Sequence, residues 1–407
     1  MIDIKIRLII VLSLMLLSVN IIFSQSLKIH SIHVHGDAHL VQTPNGKTML
    51  IDAGSSWHVN RIKNFIEREN ITTIDAVYLT HAHSDHYGGL TGKDGILATY
   101  HVSEFYGVDE NDSKAVFNTL ILPFSLNQEV KYKVIKRGSL INLDPEVEIK
   151  TLFPPDPYPK SGKNDGSAAC MITDLRNGRK FLYMGDGMEY QNRELINAYG
   201  NELKADVLKY GHHTQFELDD HFSVGYFMKI IQPKYGIITK QTMPGNNPGH
   251  GELTHASFDK LYNYTWGSDT GLKSFMLGTH GHITIVCHED GEIATFTSKE
   301  YIPPTISASE DSGIARNASF TLTLTLAEPY HDNRYPGERR GYYSLDDGAT
   351  WNEFFYPEIQ LKITKTTTVK TMARDIYGNS SVEEYEFKIE ESPEIFPSEV
   401  TCILSTP

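Results

Sequence analysis

The sequence predicts an α/β sandwich followed by a small all-β domain, and three observations carry that prediction. A chain of 407 residues exceeds what one hydrophobic core of ordinary size serves. Between Leu27 and Phe296, apolar strand-like runs alternate with stretches of helical spacing, and three of those runs end in polar clusters. At "YIPPTISAS" the texture changes: a Pro-Pro break leads into Ser- and Thr-rich strands without helical periodicity. The expected organisation is a signal peptide over residues 1–25, a large α/β domain over 26–300, a β-sandwich over 303–390 and a tail over 391–407.

In the leader, Lys5 and Arg7 precede the apolar run from Leu8 to Leu17, the order of a secretory signal peptide. That run is short for a membrane span of about 20 residues. Ile22 stands where a small residue is wanted before Ser24, so an uncleaved anchor is the alternative. No later run has spanning length, and the expectation is a secreted, periplasmic or cell-surface protein with no transmembrane segment after the leader. Cys170, Cys287 and Cys402 are too few and too far apart for a disulfide framework, so stability must come from packing. With 37 basic and 51 acidic side chains the net charge is -14, which argues against an extended nucleic-acid surface. A phosphate-bearing substrate would have to be small or locally docked and find its positive charge inside the site.

Taken in order, "LKIHSIHVHG" alternates as a strand, and "AHLVQTPNGKTMLIDAG" reads as two strands about a Pro-Asn-Gly-Lys turn. "VNRIKNFIERENI" has helical spacing, and "IDAVYLT" is an apolar strand that ends on "HAHSDH". "RKFLYMGDG" ends a strand at Asp186, "EYQNRELINAYG" is helical, and "ADVLKYGHHT" ends a strand at His212 and His213. Strand ends of this kind meet along one sheet edge in an α/β sandwich, where binding sites are built.

The run His81, His83, Asp85, His86 places four metal-capable side chains in six positions. Imidazole nitrogen and carboxylate oxygen suit borderline divalent metals such as zinc. His81 and His83 are placed to share one ion, and Asp85 and His86 to reach a second. A bridging carboxylate and a further ligand must then come from elsewhere, and Asp186 with the His212–His213 pair fit. Two ions about 3.5–4 Å apart would hold a reactive hydroxide near neutral pH and stabilise attacking and leaving oxygens. The dispersed His30, His39, His58, His101, His221 and His255 are read instead as surface or core-satisfied histidines.

"HAHSDH" resembles the HxHxDH signature of the metallo-β-lactamase superfamily, with "MLIDAG" and "FLYMGD" similar to its flanking strands. The resemblance implies an αββα sandwich. Within the superfamily, the order of "IHVHGDAHLVQTPNGKTMLIDAG", "THAHSDHYGGL", "NDGSAACMI", "FLYMGD" and "VLKYGHHT" is similar to the hydrolase domain of ComEC-type competence proteins and to secreted phosphorylcholine esterases. It implies His81 and His83 on a first metal, Asp85 and His86 on a second, and Asp186 bridging. His213 is favoured as the last ligand and His212 for contact with a substrate oxygen or the leaving group, with the reverse assignment open. Asp52 matches an aspartate that orders the metal loop.

The chain departs from the wider superfamily where a further histidine ligand is common, since only His101 lies between the hexad and Asp186. The "NDGS" stretch is similar to an Asn-Asn-x-Ser pattern of the ComEC-like subgroup, which nominates Asp165 as a ligand or the holder of a ligand water. His250, on the loop "PGNNPGHGELTH", resembles a subgroup Gly-His-Pro stretch and is a candidate substrate contact or general acid. His33 and His35 share one strand face and are expected to pack the loop.

In the second domain, "SFTLTLTL", "RGYYSLDDGATW", "IQLKITKTTTVKTMARD" and "SVEEYEFKIE" read as the strands of a small immunoglobulin-like β-sandwich. It resembles the chitobiase C-terminal-like domains of secreted glycan-processing enzymes, which implies glycan contact through Tyr342, Tyr343 or Trp351, though such aromatics more often belong to a core. The functional expectation is a secreted hydrolase with two Zn2+ ions, Mn2+ or Fe being alternatives, acting on phosphodiester or related ester bonds. Asp85, His212 and His250 are its catalytic candidates. The alternatives are lactam, lactone or thioester hydrolysis at the same site, or a glycan-binding surface protein with a structural metal.

Overall fold

The computed structural model describes residues 26–159, 162–214, 224–239, 272–299, 305–327, 340–355, 357–374 and 380–390. The leader, the tail, Cys402, His221, His250 and His255 lie outside the described residues. The chain divides into two compact units, Met1–Tyr301 and Ile302–Pro407.

The first unit is built on strands β1 (Leu27–Ser31), β2 (His39–Gln42), β3 (Thr48–Ile51), β4 (Thr73–Leu79), β5 (His101–Val108), β6 (Tyr132–Ile135), β7 (Leu140–Asp144), β8 (Val147–Phe153), β9 (Ala169–Asp174), β10 (Lys180–Tyr183), β11 (Val207–Lys209), β12 (Tyr235–Ile238), β13 (Lys273–Met276), β14 (Ile283–Cys287) and β15 (Ile293–Thr297). They form two sheets, ordered β15-β14-β1-β2-β3-β4-β5-β6 and β13-β12-β11-β10-β9-β8-β7. Alternation explains the layering. Leu27, Ile29, Val41, Met49, Ile51, Ala76 and Tyr78 of the first sheet enter one core with Ile149, Ile172, Phe181, Tyr183 and Val207 of the second. The intervening Leu40, Leu50, Val77 and Leu79 face the opposite way into another core. There they meet Ile62, Phe65 and Ile66 of the helix Val59–Arg68, each of which contributes about 1.5–3 kcal/mol by burial.

That helix stops where Asn70 takes the left-handed φ of 57°. The Asn70 N–H then donates to Glu67 O at 2.9 Å and the Ile71 N–H to Ile66 O at 3.1 Å, which closes the helix end and frees the chain to enter β4. On the second sheet, β10, β11 and β12 are parallel neighbours. Parallel strands require crossovers of one hand, here the helices Glu189–Tyr199 and Val224–Ile231. Because the other face of this sheet is committed to the inter-sheet core, these helices cover its outside, and their Leu195, Phe227 and Ile231 are buried. The architecture is the expected αββα sandwich. Cys170 and Cys287 are buried free thiols.

Among its described residues, the second unit holds a three-stranded sheet, Thr305–Ala308, Phe320–Ala327 and Glu358–Ile363, and a five-stranded sheet, Ala315–Arg316, Ser380–Ile389, Thr367–Arg374, Arg340–Ser344 and Asn352–Phe355. Leu322, Leu324 and Leu326 alternate with threonines and meet Val369, Ala373 and Phe387 in its core. One sequence expectation is corrected: "IQLKITKTTTVKTMARD" is two strands, because the chain crosses from one sheet to the other between Ile363 and Thr367. Among the described residues, no helix is long and apolar enough to cross a membrane.

Candidate metal centre

The carboxyl ends of strands from both sheets deliver the site. Past β4 comes the loop from His81 to His86, past β10 comes Asp186, and past β11 come His212 and His213. The Ala168 N–H donates to Thr80 O at 2.9 Å and ties the two sheet edges together. His212 and His213 both adopt left-handed backbone, with φ of 43° and 51°. Such a conformation costs about 1–3 kcal/mol at each non-glycine residue and concentrates at functional sites. The preceding Gly211 is required by space, since a Cβ there would stand 2.1 Å from Gly187 O.

Two ligand-capable sets result, and Asp186 belongs to both. His81, His83 and Asp186 each offer an atom within 4.8 Å of the others, and so do Asp85, His86, Asp186 and His213. Within them, Asp186 Oδ2 lies 3.1 Å from His86 Nε2 and 3.6 Å from His81 Nε2. His213 Nε2 lies 3.4 Å from Asp85 Oδ2 and 3.6 Å from Asp186 Oδ1. The buried Asp186 Oδ1 accepts no hydrogen bond, an arrangement that a cation would satisfy. The donor set of nitrogen and carboxylate oxygen fits a borderline divalent metal in both places.

The surroundings hold this array in register. Asp52, itself at φ 53°, accepts from the Thr80 N–H at 2.8 Å and the Thr80 hydroxyl at 2.6 Å, and lies 2.7 Å from His86 Nδ1. It thereby leaves Nε2 of His86 for the ligand side. Burial opposes a charge on His86, but Asp186 and then Asp52 outweigh it and hold this imidazole well above its ordinary value. His213 is likewise opposed by burial and raised to about 9 by Asp186 and Asp37. For Asp186, burial pushes upward, yet His86 and His213 keep the carboxyl well below its usual range. His81 and His83 are both lowered, chiefly by burial.

His212 stands apart from both sets, with Nε2 4.0 Å from Asp186 Oδ2. Asn164 Nδ2 donates to His212 Nε2 at 3.1 Å, and burial lowers the imidazole to about 4. Asp165 is half-buried in the turn beside Asn164 and does not enter either set; within "NDGS", Asn164 donates to His212 and the Ser167 hydroxyl accepts from the Asp186 N–H at 3.2 Å. His101 is exposed on β5. His30 is satisfied by Thr284 and Gln42, the buried His39 meets Ser31 through Nδ1 with its Nε2 4.0 Å from Asp37 Oδ2, and His35 contacts Ser55 in the loop.

Sequence reasoning missed Asp37, Thr80, Asn164 and Lys209. Lys209 carried a readable signal, a lone cation interrupting the apolar strand "DVLKYG". Asp37, after Gly36, looks like any turn aspartate.

The family model described as "Metallo-beta-lactamase superfamily" matches residues 33–218. Over 222 residues the chain is 28% identical to ComE operon protein 3 of Bacillus subtilis, a match covering 50% of this chain and 27% of that protein. It is 25% identical over 205 residues to a UPF0173 metal-dependent hydrolase of Cupriavidus metallidurans, covering 48% of this chain and 67% of that one. A long form RNase Z from yeast aligns with a TM-score of 0.43 at 10% identity, covering 88% of this chain and 61% of that one. The chain thus spans about a quarter of the length of ComE operon protein 3. Its first unit carries a metallo-beta-lactamase superfamily domain over residues 33–218 and is similar there to proteins described as metal-dependent hydrolases.

Proposed function

We propose that the chain is a secreted hydrolase of phosphodiester or related ester bonds that works with two divalent cations, zinc by donor preference. The observation that carries this reading is Asp186 standing in both ligand sets, which a single structural ion would not need. When bound, a cation pair supplies an activated water near neutral pH and offsets charge on the substrate oxygens. His81, His83 and Asp186 would hold one cation, and Asp85, His86, Asp186 and His213 the other.

The chain's own groups define the rest. With its pKa lowered to about 4, His212 is uncharged at neutral pH, and it would donate to a substrate oxygen only by exchanging the Asn164 amide that its Nε2 accepts from. Proton donation to the leaving alcohol would then fall to another group, and His250 is the sequence candidate. Lys163 lies over the metal loop, its Nζ 3.3 Å from Ala82 O and 2.8 Å from Asp112 Oδ2. A cation at the edge of the site suits an anionic substrate within a chain of net charge -14. In the second unit, the exposed Trp351 is the candidate for glycan contact, whereas Tyr343 packs against the core.

The test is turnover of bis-p-nitrophenyl phosphate by metal-loaded chain, compared with nitrocefin and a lactone. The reading expects phosphodiester hydrolysis that is lost in His83→Ala. Preference for nitrocefin or the lactone would move the activity to the other bond class, and turnover of none would favour a binding role.

A further inference from the structure

Two fully buried charges lie outside the ligand sets and serve no purpose assigned so far. Asp37 is 1% exposed and Lys209 is 0% exposed, and a charge so buried is tolerated only when paired. They pair with each other, Lys209 Nζ against Asp37 Oδ2.

Each end of the pair reaches the metal centre. Asp37 leaves β1 through Gly36; its N–H donates to Asp85 O at 3.2 Å and its carbonyl accepts from the Gly54 N–H at 2.7 Å. It is therefore fixed to the metal loop before its side chain is considered. Its Oδ1 lies 3.2 Å from His213 Nδ1, a nitrogen that Thr239 Oγ1 also reaches at 2.9 Å. The opposite nitrogen of that ring, Nε2, is the one facing Asp85 and Asp186. From the other side, the Lys209 ammonium donates to Gly185 O at 2.7 Å, immediately before the shared carboxylate, and stands 4.0 Å from Asp186 Oδ1.

We propose that Asp37 and Lys209 are a positioning pair for the cation held by His213: Asp37 selects the ring nitrogen that His213 presents, and Lys209 holds Asp37 and the Gly185–Asp186 turn in place. This rests on the two-cation reading above. Anchoring the far nitrogen of a ligand histidine to a carboxylate fixes its tautomer and orientation. Asp37, Asp52 and His86 also gather ligand-capable atoms within 4.8 Å. Lys209 already neutralises Asp37 there, and Asp52 already engages His86 Nδ1, so that group supports the centre and is not a third cation site.

The experiment is a titration of the full chain with Zn2+ against a competing chelator, repeated with Co2+ and its visible absorption. Asp37→Asn, Lys209→Met and the double variant are compared with the unaltered chain. The proposal expects the unaltered chain to take two equivalents and Asp37→Asn to weaken one of them about 10- to 100-fold, with a changed Co2+ spectrum and the other equivalent unaffected. The double variant buries no unpaired charge and should fold, binding no more weakly than the worse single variant, because the two residues act as a unit. If the variants bind both equivalents as the unaltered chain does, or if the double variant does not fold, the pair belongs to the scaffold and the proposal is overturned. An unaltered chain that takes no cation instead overturns the metal reading itself.

Discussion

Asp186 and His86 face each other across the join of the two sheets, Oδ2 to Nε2 at 3.1 Å, with both side chains buried. One residue follows β10 and the other follows β4, so the site exists only when both sheets are packed. Loss of inter-sheet packing must therefore abolish metal binding together with the fold.

The Asp52 carboxylate holds Thr80 and His86 together. Asp52→Ala would leave the buried Thr80 N–H and His86 Nδ1 without their acceptor. We expect a loss of about 2–6 kcal/mol in stability, at about 1–3 kcal/mol per orphaned group, and weaker cation binding. Urea denaturation of the metal-free variant checks the first expectation, and an unchanged midpoint would contradict it.

Gly36 crosses the metal loop at close range. A Cβ there would stand 1.7 Å from Asp85 O, at a backbone φ of +84°. Gly36→Ala should cost about 2–4 kcal/mol through strain and forced displacement, and it should also impair cation binding because the displaced residue is Asp85. Gly46 shares a positive φ but has open space around it, so Gly46→Ala should cost less and leave binding intact.

Stability of the metal-free chain should respond to pH in a direction set by His213. Its ordinary value of 6.5 is raised to about 9, since Asp186 and Asp37 outweigh the burial that opposes the charge. The imidazolium thus contributes stability fully present below about pH 6.5 and lost as the pH climbs through about 9. Cation uptake has the opposite dependence, because the ion must displace that proton. Thermal unfolding between pH 6.5 and 9.5 should show the chelator-treated chain weakening, and cation affinity should rise over the same interval. Proton uptake on metal addition at pH 7.5 would contradict the assignment.

Lys163 separates the substrate classes. If its ammonium attracts a phosphodiester, Lys163→Ala should raise KM for bis-p-nitrophenyl phosphate about 3- to 10-fold, more at low salt than high, with little effect on a neutral lactone. Equal effects on both would assign Lys163 to holding Asp112 and the Ala82 carbonyl.

Much of this was legible in the residues because the chemistry is locally dense. His81, His83, Asp85 and His86 sit in one run, and Asp186 and His213 each end an apolar strand, where a polar cluster has few structural uses. The helices Val59–Arg68 and Glu189–Tyr199 followed from their periodicity. What supports the ligands was not legible. Asp37 and Lys209 are 172 residues apart in sequence (209 minus 37) and acquire meaning only as partners. Asn164 was hidden by its neighbour, since an aspartate looks the better ligand, but the turn brings the amide to His212. The run from Ile359 to Asp375 read as one strand because β-branched residues continue through the crossing between sheets.

The central claim is that Asp186 serves two cations at once, and metal content of the purified, metal-loaded chain tests it most directly. The account predicts about two equivalents in the unaltered chain, about one in His83→Ala and in His213→Ala, and close to none in Asp186→Ala, all four folded by circular dichroism. An unaltered chain without bound metal, or an Asp186→Ala variant that keeps both equivalents, would contradict it.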